Sequence, residues 1–472
     1  MQRGSDWSAV RVTVAGIGVA GFAAADALAQ LGAQVTVLDA ADGKAQRKSA
    51  DVLEVIGVTV LLGHSEGLPP TDVLVVSPGL RPSDELIQEA VARDIPVWGE
   101  LELAWRLRAA VGAAPWLVVT GTNGKTTTTL MLESMLTAAG LRTVSAGNIG
   151  NSLIDVVMHD ELDVIAVEVG APQLPFISSI SPHAAVCLNV ADDHIDHFGS
   201  LDAYIAAKAR IYERTQVAAV FNADDPLTLR MVQEAEVEEG CRAIGFTLGI
   251  PDVSMLGVVE DLMVDRAFID NRRDAAQELA VTSDVQPHAP HNIANALAAA
   301  ALARSFGVSA SAVRAGLQSF QPAGHRISTV ATVDGVTYID DSKATNTHAA
   351  STSLRAYQSI VWIAGGMAKG QNFDELVAES VSRLRGVVLI GVDRELIAQA
   401  LRRHAPQVPV KVLDRTETEV MVEVVATARA FAQEGDTVLL APGCASWDMF
   451  RDYGQRGDLF AEAVRSLSEA SS

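Results

Sequence analysis

Apolar residues along this chain come in short blocks separated by polar or glycine- and proline-rich turns, and the blocks are of two kinds. Residues 12–15, 34–38, 72–76 and 95–97 are brief and mostly valine-rich, the pattern of buried strands, whereas 22–31 has the length and spacing of a helix. The alternation resumes with a strand at 116–119, a helix at 130–136, strands at 164–169, 184–189 and 218–222, and an alanine-rich helix at 293–305. A third series of strands follows at 336–339, 360–364, 387–391, 410–413 and 437–440. Strands that alternate with helices predict parallel sheets covered by helices on their faces. At 472 residues the chain exceeds a single hydrophobic core, so a division into about three α/β domains is expected, at 1–100, 101–322 and 323–472.

Two strand-to-helix turns carry glycines in patterns that suit phosphate. In Thr120-Gly-Thr-Asn-Gly-Lys-Thr-Thr-Thr128 a tight loop enters a helix. Backbone N–H groups of such a loop point inward, the helix N-terminus adds partial positive charge, Lys125 can reach terminal phosphates, and Thr126 can ligate Mg²⁺. Gly121 and Gly124 enclose only Thr122 and Asn123, whereas the common phosphate loop has four residues between its glycines. The second pattern is Gly16-Ile-Gly18-Val-Ala-Gly21, with Asp39 following about 20 residues later, as in dinucleotide-binding β-α-β units. Taken alone it suggests NAD, the lesser alternative being that the glycines only permit close helix–strand packing. Ser77-Pro-Gly79 turns at the C-terminal end of a strand, where open α/β sheets place ligands.

Other candidate groups are scattered. Glu168 ends an apolar run and, with Thr126, could hold one Mg²⁺. His194, in Asp192-Asp-His-Ile-Asp196, could serve a second ion, although magnesium prefers oxygen and the histidine by itself reads as a polar loop residue. Lys208 by itself reads as a solvated helix lysine. Asn292 and Asn295 lie three apart on one helix face and suit a purine or phosphates; the alternative is that Asn292 caps the helix. His325-Arg326 supplies fixed positive charge. Asp340-Asp341-Ser-Lys343-Ala-Thr345-Asn346 follows a strand, and Gly365-Gly-Met-Ala-Lys369-Gly370 is a second glycine-flanked lysine. Two cationic loops and an acid-rich strand end in separate regions suggest a site assembled by domain closure.

Composition removes several classes. With 49% hydrophobic and 20% charged residues the chain is globular. Its 58 acids against 36 bases give −22, which argues against nonspecific attraction to nucleic acid or an anionic membrane, and neither is expected as a partner. Cys187, Cys241 and Cys444 are widely separated and lack disulfide-framework or metal spacing, which fits a reducing cytoplasm. Arg3 and Arg11 before the apolar stretch 12–25 imitate a signal peptide, but Gly16, Gly18, Gly21 and Asp26 fit a strand–turn–helix better. No uninterrupted apolar run reaches the roughly 18 residues of a membrane span.

Taken together these motifs resemble the Mur ligases over nearly the whole chain. The resemblance rests on Gly-Thr-Asn-Gly-Lys125-Thr-Thr with its short loop, Ala-Asp-Asp-His194, Ala-Ala-Lys208-Ala-Arg-Ile-Tyr, and His291-Asn-Ile-Ala-Asn295. It extends through His325-Arg326, Asp341-Ser-Lys-Ala-Thr-Asn346 and Ala441-Pro-Gly-Cys-Ala-Ser446-Trp-Asp-Met-Phe450, in the same order and spacing. It implies a Rossmann-like N-terminal domain, a central P-loop ATPase-like parallel sheet and a Rossmann-like C-terminal domain. Within the family, Asn123 and Gly-Gly-Met-Ala-Lys369 favour the members that add D-glutamate.

The resemblance further implies UDP-N-acetylmuramoyl-L-alanine, ATP and D-glutamate as substrates, two Mg²⁺ ions, a monomer, and a cytoplasmic role in peptidoglycan precursor synthesis. Gly18, Val19, Ala20, Asp39, Gly79, Asn148 and His194 would line the UDP-sugar site. Gly121 to Thr127, Asn292, Asn295, Arg326 and Asp341 would hold ATP. Thr126, Glu168, His194 and Lys208, the last as a carbamate, would bind the metals, and Lys125, His194, Lys208 and Arg326 would be catalytic. Lys343, Thr345, Lys369, Ser446, Trp447 and Tyr453 would receive D-glutamate. One stretch departs from the family pattern: in Glu168-Val-Gly-Ala-Pro-Gln-Leu174, Gly170 replaces a usual serine and Pro172 a usual aromatic. The contending readings are another ligase of the same class, an NAD-dependent oxidoreductase, or a catalytically silent nucleotide-binding regulator.

Overall fold

The computed structural model describes all residues except Gly150, Asp160, residues 192–194, Ala323, His325, Arg326, Lys369, Thr416, Glu419 and residues 471–472. It contains three sheets. The first comprises β1 (Arg11–Ala15), β2 (Gln34–Asp39), β3 (Thr59–Leu62), β4 (Val73–Val76) and β5 (Val97–Gly99). These are all parallel, in the order β3-β2-β1-β4-β5, a doubly wound arrangement whose central strand β1 ends at the glycine turn. Residues 12–25, which imitate a leader, are β1 and the start of the helix Val19–Gln30, with Val12, Val14, Ala23, Ala24 and Ala25 in the core.

The second sheet comprises β6 (Trp116–Thr120), β7 (Thr143–Gly147), β8 (Val164–Glu168), β9 (Ala184–Cys187), β10 (Ala218–Asn222), β11 (Arg242–Phe246), β12 (Met255–Val259), β13 (Leu262–Asp265) and β14 (Gln277–Val281). Its order is β14-β13-β12-β11-β10-β9-β6-β8-β7. Strands β7 to β12 and β6 are parallel, and the expectation of purely parallel sheets is corrected at one edge, where β12, β13 and β14 form an antiparallel meander. The reason is local: Glu260 and Asp261 join β12 to β13 as a two-residue hairpin, with Glu260 at positive φ, and so short a loop cannot make a crossover. Strands β6 and β8 are buried at every position because helices cover both faces. On one face the alanine-rich helix Pro290–Ser305 packs against Lys125–Ala138, its alanines allowing the backbones to approach closely.

The third sheet comprises β15 (Ser328–Val333), β16 (Val336–Asp340), β17 (Ile360–Gly365), β18 (Leu384–Ile390), β19 (Val410–Val412) and β20 (Thr437–Leu440). Its order is β15-β16-β20-β17-β18-β19, parallel except for the β15–β16 hairpin. By compactness the chain forms two units: residues 1–190 with 197–321, carrying the first two sheets, and 191–196 with 322–472, carrying the third. Among the described residues no helix is long and apolar enough to cross a membrane, and all three cysteines are free.

Candidate active site

The loop after β6 is held open for an anion by its own backbone and by a neighbouring asparagine. Gly121 and Gly124 have φ of +154° and +85°, conformations that side chains other than glycine rarely adopt. A Cβ on Gly124 would also lie 2.4 Å from Asn295 Oδ1. Asn189, at the end of β9, pins the loop from beside it: its Oδ1 accepts from Asn123 N at 2.9 Å, its Nδ2 donates to Asn123 O at 3.1 Å, and its carbonyl accepts from Thr122 N at 3.0 Å. Lys125 folds over this ring, its Nζ donating to Gly121 O and Thr122 O at 2.9 Å each. Thr126 and Thr127, in the first turn of the helix, are buried.

Asn292 and Asn295 are buried on the same face and joined, Asn295 Nδ2 donating to Asn292 Oδ1 at 3.4 Å. The capping alternative is corrected: the helix begins at Pro290 with Ala289 as its N-cap, and Asn292 sits inside, donating to Pro287 O at 2.9 Å.

Glu168 terminates β8 beside β6 and is 1% exposed. Its Oε1 accepts from Asn148 Nδ2 at 2.8 Å, while its Oε2 is buried without a partner among the described residues. A buried, orphaned carboxylate oxygen next to a phosphate loop has the chemistry of a divalent-cation ligand. Among the described residues no group of three or more His, Cys, Asp or Glu comes together.

Lys208 corrects the reading of a solvated lysine. It lies on the helix Leu201–Ala209 and is fully buried, its Nζ 4.8 Å from the ring centre of Tyr204. Tyr204 in turn shares a 3.0 Å hydrogen bond with Thr122 of the loop. Burial pushes the Cys187 thiol up to about 11, although the nearby charges of Lys208 and Lys125 pull it down. Helical periodicity could not reveal this burial, because the helix has apolar residues on several sides and packs against Ala171–Phe176, far away in sequence.

The departure around Gly170 has a spatial reason. A Cβ there would lie 3.1 Å from Asn148 Oδ1 and 3.4 Å from Gln173 Oε1, so glycine leaves room for the amide that holds Glu168. Gln173 Oε1 accepts from Gly170 N at 2.8 Å, and its Nε2 donates to Glu100 Oε2 at 3.3 Å. Glu100 is buried, and desolvation raises its pKa to about 7 against the opposing bonds from Leu153 and Gln173.

In the first sheet, Gly18 caps the helix, Val19 stands exposed at its start, Ala20 follows, and Gly79 lies in an open turn past β4. Asp39 is committed to the turn, its carboxylate accepting from Ile17 N at 2.9 Å and Ala41 N at 2.8 Å. Gly16 and Gly21 do pack closely, since a Cβ on Gly21 would reach 1.8 Å from Gly16 O.

In the second compact unit the described candidate residues lie past the C-terminal ends of β16 and β20. Asp341 is buried, its carboxylate accepting from Ile327 N at 3.3 Å and from the Ser353 hydroxyl. Lys343 Nζ lies 3.8 Å from the centre of the Tyr453 ring. Thr345 N donates to Lys343 O at 2.8 Å, Ser446 is buried, and Trp447 is exposed. Arg456, fully buried, ties this edge together by donating to Ser342 Oγ at 2.9 Å, Ser342 O at 2.7 Å and Cys444 O at 3.1 Å. His194, His325, Arg326 and Lys369 lie outside the described residues.

Comparison with known families matches residues 10–99 to a Mur ligase MurD-like N-terminal domain, 119–303 to the Mur ligase middle domain, and 325–444 to the Mur ligase glutamate ligase domain. A UDP-N-acetylmuramoylalanine–D-glutamate ligase of Streptomyces avermitilis is 60% identical over 98% of this chain and 99% of its own length. The chain belongs to the Mur ligase family. The protein of the same name from Mycolicibacterium smegmatis is 43% identical over 97% of this chain and 96% of its own. The fold is also that of a UDP-N-acetylmuramate-alanine ligase from Thermotoga maritima, with TM-score 0.57 and 18% identity over 97% of this chain and 100% of that one. A MurF ligase from Thermotoga maritima in complex with ADP gives TM-score 0.58 at 17% identity over 93% and 96%.

Within this Mur ligase, the motif residues missed Asn189, Tyr204, Glu100 and Arg456. Asn189 ends an apolar strand run and was visible as a polar terminus. The other three carry no local signal, because what distinguishes them is burial against distant segments.

Proposed function

We infer that this chain is an ATP-dependent ligase that joins D-glutamate to UDP-N-acetylmuramoyl-L-alanine in peptidoglycan precursor synthesis. The observation that carries the reading is the agreement of the curated relatives over nearly the full length with a short-loop phosphate site whose lysine, hydroxyls and carboxylate stand at one sheet edge. In the proposed reaction the alanyl carboxylate attacks the γ-phosphate of ATP, forming an acyl phosphate and releasing ADP. The D-glutamate amine then attacks that carbonyl, the C–O bond to phosphate breaks, and inorganic phosphate leaves. Phosphorylation is needed because a carboxylate oxygen is a poor leaving group.

The proposed roles follow from position. The loop amides and Lys125, after exchanging its two carbonyl partners for phosphate oxygens, bind the triphosphate. Asn292 and Asn295 border the loop and would contact the nucleotide. Thr126 and Glu168 would hold one Mg²⁺, the orphaned Glu168 oxygen being the group that fits it; Lys208 as a carbamate, with His194, would hold a second. When bound, these ions offset charge on the transferring phosphoryl group. Lys208 is proposed as the carbamate because it is fully buried beside Tyr204, which is bonded to the loop, and uptake of CO₂ with loss of a proton would turn its amine into an oxygen ligand for a cation. Gly18, Val19, Ala20, Asp39, Gly79 and Asn148 are proposed to line the UDP-sugar site, with Asp39 shaping the turn through its backbone bonds. Lys343, Thr345, Ser446, Trp447, Tyr453 and Lys369 are proposed for D-glutamate, and Arg326 and Asp341 for the nucleotide. A monomer in a cytoplasmic setting is proposed, the latter because ATP and a UDP-sugar are the proposed substrates.

The decisive assay is phosphate release by the purified protein with ATP, Mg²⁺ and UDP-N-acetylmuramoyl-L-alanine across amino acids. D-Glutamate should be the substrate, and release with L-alanine or diaminopimelate instead would overturn the reading. Tight NADH binding without affinity for the UDP-sugar would restore the oxidoreductase alternative.

A further inference from the structure

Away from the substrate residues, a cavity of about 350 Å³ within the first compact unit is lined by three arginines and by no acidic residue. Arg3 of the N-terminal segment, Trp105 and Arg106 at the end of the helix preceding the second sheet, Arg108 of the connector, and Ser179 line it. Arg106 is neutralised by Glu102 at 2.7 Å and lies over Trp98. Glu102 is saturated, because it also accepts from the backbone and hydroxyl of both Ser178 and Ser179.

The other two arginines have no counter-charge among the described residues. Arg3 donates to the neutral carbonyls of Val157 and Met158 at 3.2 and 2.9 Å. Arg108 stacks on the face of Trp105, 3.1 Å from the ring centre, and donates Nε to Trp105 O at 3.1 Å; its two terminal nitrogens have no hydrogen-bond or ion-pair partner among the described residues. Burial lowers its pKa to about 10 with no acidic group to offset the effect. Two uncompensated cations facing one concavity are out of keeping with a chain of charge −22, which has carboxylates to spare. A partly buried guanidinium held flat by an aromatic face is already oriented for a planar, two-pronged contact with an oxyanion.

We propose that this cavity binds a small phosphate-bearing anion through Arg108 and Arg3, at a site separate from the triphosphate loop. The phosphate charge of about −2 matches the two unmet cations, and the volume falls in the range of about 300–1,000 Å³ usual for small-molecule sites. The connector that carries Arg108 leads directly into β6 and the triphosphate loop, so an anion here would brace the segment joining the first two sheets.

Titration calorimetry of the full chain with inorganic pyrophosphate, without divalent ions and with the proposed UDP-sugar site saturated by UDP-N-acetylmuramoyl-L-alanine, tests it. Two classes of site are expected; Lys125→Ala should remove one, and Arg108→Gln should weaken the other at least tenfold while ADP affinity and phosphate release stay normal. A single class abolished by Lys125→Ala, or an Arg108→Gln protein that binds ADP and retains both classes, overturns the proposal. If Arg108→Gln loses ADP binding through misfolding, Arg3→Gln decides in the same titration, an unchanged second site counting against the proposal. Running UMP beside pyrophosphate separates a nucleotide from a free phosphate as the source. Preference for either supports the site, and binding of neither at the Arg108-dependent class overturns it.

Discussion

Asn148 Nδ2 donates to Glu168 Oε1 at 2.8 Å, which fixes the carboxylate and turns its second oxygen, buried and without a partner among the described residues, away from the amide. Residues that orient metal ligands this way typically change metal affinity or activity by about 10–100-fold when removed. Asn148→Ala is therefore expected to lower phosphate release by about that factor and to raise the Mg²⁺ concentration needed for half-maximal rate. A Mg²⁺ titration of the rate checks it, and an unchanged midpoint would separate Glu168 from the metal.

Gly124 cannot carry a side chain. Its φ of +85° is strained for alanine, and the added Cβ would collide with Asn295 Oδ1 at 2.4 Å. Gly124→Ala should cost about 1–3 kcal/mol in denaturant unfolding and raise the KM for ATP far more than that for D-glutamate. Equal effects on both substrates would contradict the loop assignment.

Glu100 makes stability depend on pH. Its folded pKa is raised from 4.5 to about 7, so below 4.5 both states are protonated and stability is full. As pH rises toward 7 the unfolded chain releases its proton first, and about 3 kcal/mol is lost across that window. Glu100→Gln, which cannot ionise, should flatten this part of the profile. Urea unfolding of both proteins at pH 5 and pH 7.5 checks the slope difference.

Arg456→Met would leave the Ser342 and Cys444 carbonyls and the Ser342 hydroxyl without the donors that now reach them. Stability should fall by about 3 kcal/mol, and the KM for D-glutamate should rise while ADP affinity, measured by calorimetry, is retained. Loss of ADP binding with intact D-glutamate kinetics would reverse the assignment of this cluster.

Local pattern was enough for much of this architecture. Valine-rich blocks such as 72–76 and the alanine-rich helix are readable because strand and helix bury different periodicities, and glycine turns before helices announce phosphate chemistry through backbone geometry alone. Strands β14 and β15 carry no legible signal because they are partly exposed and lack a continuous apolar run, and the buried β13 offers only Leu262-Met-Val264, too short to stand out. Asn292 was open to a capping role because spacing places residues on a face without saying where the helix begins.

Order along the chain thus determined the alternation of elements, the anion-binding loop and the family, since all three are properties of contiguous residues. Burial of Lys208, the orphaned oxygen of Glu168, the bracing of the loop by Asn189, and the unmatched charge of Arg108 were decided only in three dimensions. Each depends on how much water and which distant group a side chain meets after the sheets pack, and neither quantity is encoded in a residue's neighbours along the chain.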